Sequence, residues 1–203
     1  MDWAGQHVPG ILVAWYPGQR GGSAVADVLF GDANPSGRLP VTFYKADEKL
    51  PAFDDYAMAG RTYRYFGGEP LYPFGHGLSY TRFGYSGLRL DRGRAGAGDP
   101  VKVAVTVKNE GARAGDEVVQ LSLAPQQPAQ PRALKELRGF QRVHLQPGES
   151  RELEFTLVPE RDLRRYDPQA GAYVVDPGRY EVQVGASSAD VRQRATLQVD
   201  PAR

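Results

Sequence analysis

Val101-Lys102-Val103-Ala104-Val105-Thr106-Val107 places a valine at every second position. Side chains alternate between the two faces of a strand, so this stretch predicts one face on a core and the other in water. The same period returns in Val119-Gln120-Leu121-Ser122-Leu123 and over 153–157, 180–184 and 195–199. Asn109-Glu110-Gly111, Gln146-Pro147-Gly148-Glu149 and Asp176-Pro177-Gly178 are the turn signals between these runs. Roughly six or seven such strands over about 120 residues, without a helical stretch, predict an immunoglobulin- or fibronectin-like sandwich. That sandwich is expected over 85–203. Tyr180, just after Gly178, suits the tyrosine-corner position, a structural role in which its hydroxyl bonds a backbone group upstream. Gln126-Gln127-Pro128-Ala129-Gln130-Pro131 is expected as a polar edge loop.

Immediately upstream the pattern changes. Gly60-Arg61-Thr62-Tyr63-Arg64-Tyr65-Phe66 and Pro70-Leu71-Tyr72-Pro73-Phe74-Gly75-His76-Gly77-Leu78-Ser79-Tyr80 are dense in rings and guanidinium groups but broken by glycine and proline. Rings need packing partners, and Gly and Pro prevent a long regular element. The segment 59–84 therefore reads as an ordered connector, with Arg61, Tyr63 and Tyr65 holding it in place.

Residues 1–58 read as the end of an α/β domain. Ile11-Leu12-Val13-Ala14-Trp15 lies in a continuous apolar run from Pro9 to Tyr16, which suits a strand covered on both faces. A turn containing Gly18 follows, then a helix over 24–30 capped by Ser23 and stopped by Gly31. Leu39-Pro40-Val41-Thr42-Phe43 is a second short strand, and the first two residues after Met1 are expected to give no helix or strand. One strand–helix–strand unit buries too little to offset an ordering entropy of roughly 1–2 kcal/mol per residue. The chain is accordingly expected to be a piece of a longer protein, with Met1 an internal methionine.

The 203 residues carry a net charge of +1, which leaves no electrostatic footprint for nucleic acid or an anionic membrane surface. No run approaches the roughly 18 apolar residues of a membrane span. The absence of cysteine removes thiol nucleophiles and Cys-based zinc sites. His7, His76 and His144 show no metal-ligand spacing, and no Gly-x-Ser-x-Gly occurs. The turn from Gly18 to Ser23 lacks the lysine of a phosphate loop. Asp54-Asp55 is the one local acidic cluster before the connector, with a solvated loop as its simpler reading. Asp54, Arg61 and Tyr63 are the candidates for substrate contact; Gly18, Gly31, Tyr65 and Tyr180 are expected to be structural.

Longer motifs carry a resemblance. Tyr16-Pro17-Gly18-Gln19, Gly22-Ser23-Ala24-Val25-Ala26-Asp27-Val28-Leu29-Phe30-Gly31-Asp32 and Asn34-Pro35-Ser36-Gly37-Arg38-Leu39-Pro40 resemble the C-terminal half of glycoside hydrolase family 3. So do the two connector motifs quoted above. Gly115-x-Glu117-Val118-Val119-Gln120, Leu137-x-Gly139-Phe140 and Pro177-Gly178-x-Tyr180 are similar to the fibronectin type III-like domain appended to many members.

The resemblance implies a retaining β-glucosidase or β-xylosidase with no cofactor and an oligosaccharide substrate, periplasmic or secreted. It also implies a barrel and an α/β portion upstream as the chain's partners. The barrel alone takes on the order of 250 residues. The nucleophile and the acid/base of the family lie upstream of Tyr16, so no catalytic residue is carried over onto this sequence. A non-catalytic carbohydrate-binding or interaction module is the alternative, as is a structural spacer. The incomplete sheet before Lys45 favours the enzyme fragment.

Overall fold

The computed structural model describes residues 2–45, 51–128 and 131–201. Two bodies of different kind follow one another: a first whose described elements are helices, and a two-sheet β-sandwich.

The sandwich has one sheet of β1 (Phe83–Leu90), β3 (Val101–Asn109) and β6 (Ser150–Leu157), in the order β1-β3-β6. Its second sheet runs β2-β10-β9-β4-β5, from β2 (Arg94–Ala95), β4 (Gly115–Pro125), β5 (Glu136–Leu145), β9 (Gly178–Gly185) and β10 (Val191–Val199). A hairpin of β7 (Arg164–Asp167) and β8 (Ala172–Val175) stands apart from both. Val101, Val103, Val105 and Val107 of one sheet are fully buried, as are Val119, Leu121, Val182, Val184, Leu197 and Val199 of the other. The alternation read from sequence therefore sets the core.

Three features of this body differ from expectation. A single helical turn, α4 (Pro159–Asp162), interrupts the strands. β5 carries no clean alternation, because Arg138, Gly139, Gln141 and Arg142 interrupt its apolar positions along the sheet edge. The outer face of β4 is not wet: Gln120, Ser122 and Ala124 are buried along with the core row. At Gln120 the cause is the connector, which lies against this residue. A Cβ on Gly75 would sit 2.3 Å from the Gln120 amide nitrogen.

The first body departs further. A helix, α1 (Asp2–His7), starts at the two residues expected to give neither helix nor strand. The run 9–16 forms no strand, since a strand exists only through its neighbours and none lies alongside among the described residues. Its Trp15 and Tyr16 are exposed, Tyr16 almost fully. α2 (Gly21–Phe30) starts two residues before Ser23, which places that hydroxyl inside the helix and leaves Arg20 as an N-cap without a side-chain bond. Gly31 ends α2 in the left-handed region at φ 84°, its amide donating to the Val28 carbonyl. Gly18 has no left-handed φ, and a Cβ placed on it would meet no atom within 4 Å, so no steric demand explains a glycine there. The expected strand over 39–43 reduces to one bridge, Phe43 with Tyr72.

Tyr180 is 2% exposed, and its hydroxyl donates to the Asp176 carbonyl at 2.8 Å. Arg132 donates back to that hydroxyl at 2.8 Å from a guanidinium that is itself 5% exposed. Burial pushes the Tyr180 phenol up, against the opposing pull of Arg132. Tyr180→Phe keeps the ring but leaves both partners short of one bond. A loss of about 1–3 kcal/mol is expected in urea denaturation, the cost of an orphaned buried polar group.

Candidate functional site

The three substrate-contact candidates do not converge on a cleft. Asp54 is exposed on a loop. Arg61 spends its guanidinium on that loop's own backbone, donating to the carbonyl oxygens of Ala57 at 2.9 Å, Ala52 at 3.4 Å and Asp55. Tyr63, in the short helix α3 (Thr62–Tyr65), stacks on Phe74 at 4.3 Å between ring centroids. Its hydroxyl accepts from the Leu137 amide at 3.0 Å. Tyr65 is half-buried beside the Arg64 guanidinium, which pairs with Glu136. Tyr63 and Arg64 thereby tie the connector to the sandwich, while Arg61 closes the loop that precedes it.

What the fold does assemble is a seam between the two bodies. Glu117 is 2% exposed, in step with Val119, Leu121 and Leu123 on the inward row of β4. A carboxylate there needs partners. Arg38, from the turn after α2, donates to its Oε2 at 2.9 Å, and the Tyr85 hydroxyl of β1 donates to its Oε1 at 2.8 Å. Arg38 and Glu117 side chains are 9% and 3% exposed, so the pair is a buried one. Burial drives the Glu117 carboxyl above its ordinary range, with Arg38 and Tyr85 pulling the other way. Burial likewise raises the Tyr85 phenol, and the Glu117 charge raises it further.

Around this pair the backbone is stitched. Leu39 donates to the His76 carbonyl at 2.9 Å, Gly75 to that of Leu39 at 2.8 Å, and Ser188 to that of Phe74 at 2.9 Å. Asn34 donates to the Ala114 carbonyl at 2.9 Å and accepts from the Ser79 hydroxyl and the Tyr80 amide. The Tyr80 hydroxyl reaches the Val28 carbonyl at 2.7 Å, beneath the Arg113 guanidinium. His76 stacks on Tyr72, and its ring is held below the usual histidine range by burial and by Arg38. Gly77 is demanded by contact: a Cβ there would sit 2.2 Å from the Gly37 carbonyl oxygen.

This arrangement ties the two bodies together, with one donor on each Glu117 oxygen, Arg38 on Oε2 and Tyr85 on Oε1. No cluster of metal-ligating side chains exists among the described residues. The sequence holds one signal for Glu117 that its local pattern hides, an acid in register with the inward-facing side chains of a strand. A second surface stands out in the first body, where Leu12, Trp15, Tyr16, Leu29 and Phe30 are all exposed.

Residues 1–80 match the glycosyl hydrolase family 3 C-terminal domain, and residues 117–188 match a fibronectin type III-like domain. The chain belongs to glycoside hydrolase family 3. A xylan 1,4-beta-xylosidase of Xylanibacter ruminicola is 46% identical over 181 residues, which are 89% of this chain and 20% of that protein. A beta-glucosidase of Rhizobium radiobacter is 41% identical, across 97% of this chain and 26% of its own length. The solved beta-glucosidase 3B of Thermotoga neapolitana, in complex with glucose, superposes with a TM-score of 0.83 at 38% identity. It is matched over 96% of this chain and 28% of its own. This family 3 chain thus spans between a fifth and somewhat over a quarter of those three relatives, as the C-terminal part of such enzymes.

Proposed function

We propose that this chain is the scaffold end of a retaining β-glycosidase that releases terminal β-linked glucose or xylose from oligosaccharides and glycosides. In this reading residues 1–58 complete an α/β domain begun upstream, 59–84 form the connector, and 85–203 are the sandwich that stiffens it. The reacting carboxyl groups belong to the upstream barrel and α/β portion. A retaining mechanism takes two carboxyl groups roughly 5–5.5 Å apart, one as nucleophile and one as acid and base. The acids that the fold brings together here are tied to arginines or exposed on loops.

The observation that carries the reading is the uncovered apolar surface of the first body. A chain complete in itself rarely exposes Tyr16 at 99% and Phe30 at 85% beside Trp15 and Leu29. In the proposed enzyme the upstream domains lie against these side chains. The run 9–16 gains a neighbouring strand there, which is the condition it lacks in this chain.

The purified 203-residue chain is accordingly expected to hydrolyse neither an aryl β-glucoside nor an aryl β-xyloside. The same chain fused to its upstream domains is expected to turn over one or both. Turnover by the chain alone at a rate near that of an intact family member overturns the assignment of the reacting groups.

A further inference from the structure

A cleft of about 470 Å³ opens between the connector, the segment after β4 and the β7–β8 hairpin. Tyr166 and Tyr173 stand directly opposite each other in the hairpin and meet edge to face at 5.6 Å. They are 56% and 64% exposed, so that neither ring is packed into the fold. Four guanidinium groups line the cleft against one carboxylate, Glu136.

Three of those guanidinium groups are already engaged. Arg64 pairs with Glu136, and Arg132 is held by Asp176, the Tyr180 hydroxyl and the Leu163 carbonyl. Arg165 makes a two-point bond to Asp176 at 2.7 and 3.0 Å. Arg164 differs. It is exposed, has no carboxylate partner among the described residues, and lies 4.6 Å over the Tyr173 ring. A guanidinium so placed is stiffened by the ring and keeps its donors for a planar anion.

We propose that this cleft binds a glycan bearing a carboxylate, that is, one containing a uronic acid sugar. The apolar face of a pyranose ring stacks on Tyr166 or Tyr173, and the sugar carboxylate takes the open donors of Arg164. A neutral sugar uses the rings but leaves Arg164 without its anion. A small inorganic anion pairs with Arg164 but leaves both rings bare. Only a ligand with a flat apolar face and a carboxylate a few atoms away satisfies both. The choice of a glycan rests on the glycosidase reading, but binding is measured without hydrolysis. Failure of the fused enzyme to turn over substrate therefore leaves this test intact.

The test titrates the purified chain by calorimetry with three probes of equal length. They are a xylo-oligosaccharide carrying glucuronic acid, an oligogalacturonide and an unsubstituted xylo-oligosaccharide. Saturable binding of either acidic probe, roughly tenfold tighter than the neutral one, is expected, and which of them binds names the backbone. Arg164→Gln, on an exposed side chain, is expected to erase the advantage of the acidic probe with an unchanged far-ultraviolet spectrum. Tyr166→Ser is expected to weaken all binding. Equal affinity for acidic and neutral probes, an unaffected Arg164→Gln variant, or no binding by any probe overturns the proposal.

Discussion

Arg38→Ala is expected to lower the stability of the folded chain by about 3–5 kcal/mol, the cost of leaving one member of a buried ion pair without the other. The acid left behind is Glu117, which on the inward row of β4 stays buried for as long as the seam is closed. Tyr85 still donates to one oxygen, and nothing replaces the cation on the other. The loss is capped at the free energy that keeps the seam closed, because an open seam returns Glu117 to water.

The same variant should make stability more dependent on pH, with a defined sign. Burial already raises the Glu117 carboxyl above its unfolded value, and Arg38 opposes that rise. Without Arg38 the folded-state value climbs further. A carboxyl raised on folding holds its proton more tightly in the folded state, so that contribution is present at low pH and lost as pH rises through the folded value. Urea denaturation should therefore show a smaller loss at about pH 5 than at about pH 8. Adding Glu117→Gln to Arg38→Ala removes the buried charge while keeping an acceptor for Tyr85. Part of the stability should return at the higher pH, and the dependence on pH should flatten. An equal loss at both pH values would show that some contact of Arg38 other than Glu117 carries the effect.

The contrast between these two bodies explains how far the sequence can be read. Alternation over 101–107 translates into structure because each valine faces a core made by the same chain within the next hundred residues. Tyr180 is legible for a similar reason, since its partner Asp176 is four residues away. Gln120 and Ser122 look like a solvent face in any local reading, yet both are buried, Gln120 with the connector against it at Gly75. Helix α2 is legible in its stop at Gly31 but not in its start, because a cap depends on where the preceding turn closes. The run 9–16 reads as a strand and forms none, for want of a neighbour. Of the candidate site, Arg61 and Tyr63 stand out in the sequence, both as candidate contacts to a substrate and as residues that order the connector. Their capacity goes to the Ala57 carbonyl and the Leu137 amide, contacts that no local pattern announces.

Leu121→Ala separates the stability of the sandwich from that of the seam. Leu121 is fully buried in β4, paired with Val184 of β9 on one side and Gly139 of β5 on the other. Sheet neighbours on both sides resist collapse into the space a truncated side chain leaves. A loss of about 2–5 kcal/mol is expected, most of it from the missing contacts and the cavity. The first body has no buried hydrophobic residue among those described before Phe83, so the seam is what holds it in place. It should therefore open at a lower free energy than the strands unfold. Native-state hydrogen exchange then has a clear expected pattern. The amides of β4 and β9 lose protection in Leu121→Ala, while the seam amides do not. Those of Leu39 and Gly75 tie the first body to the connector, and that of Ser188 ties the connector to the sandwich. Arg38→Ala gives the opposite ordering, with the seam amides most affected. Equal losses at both sets of amides in both variants would mean that the two bodies unfold as one, and that the connector fastens them as firmly as the sheets are fastened to each other.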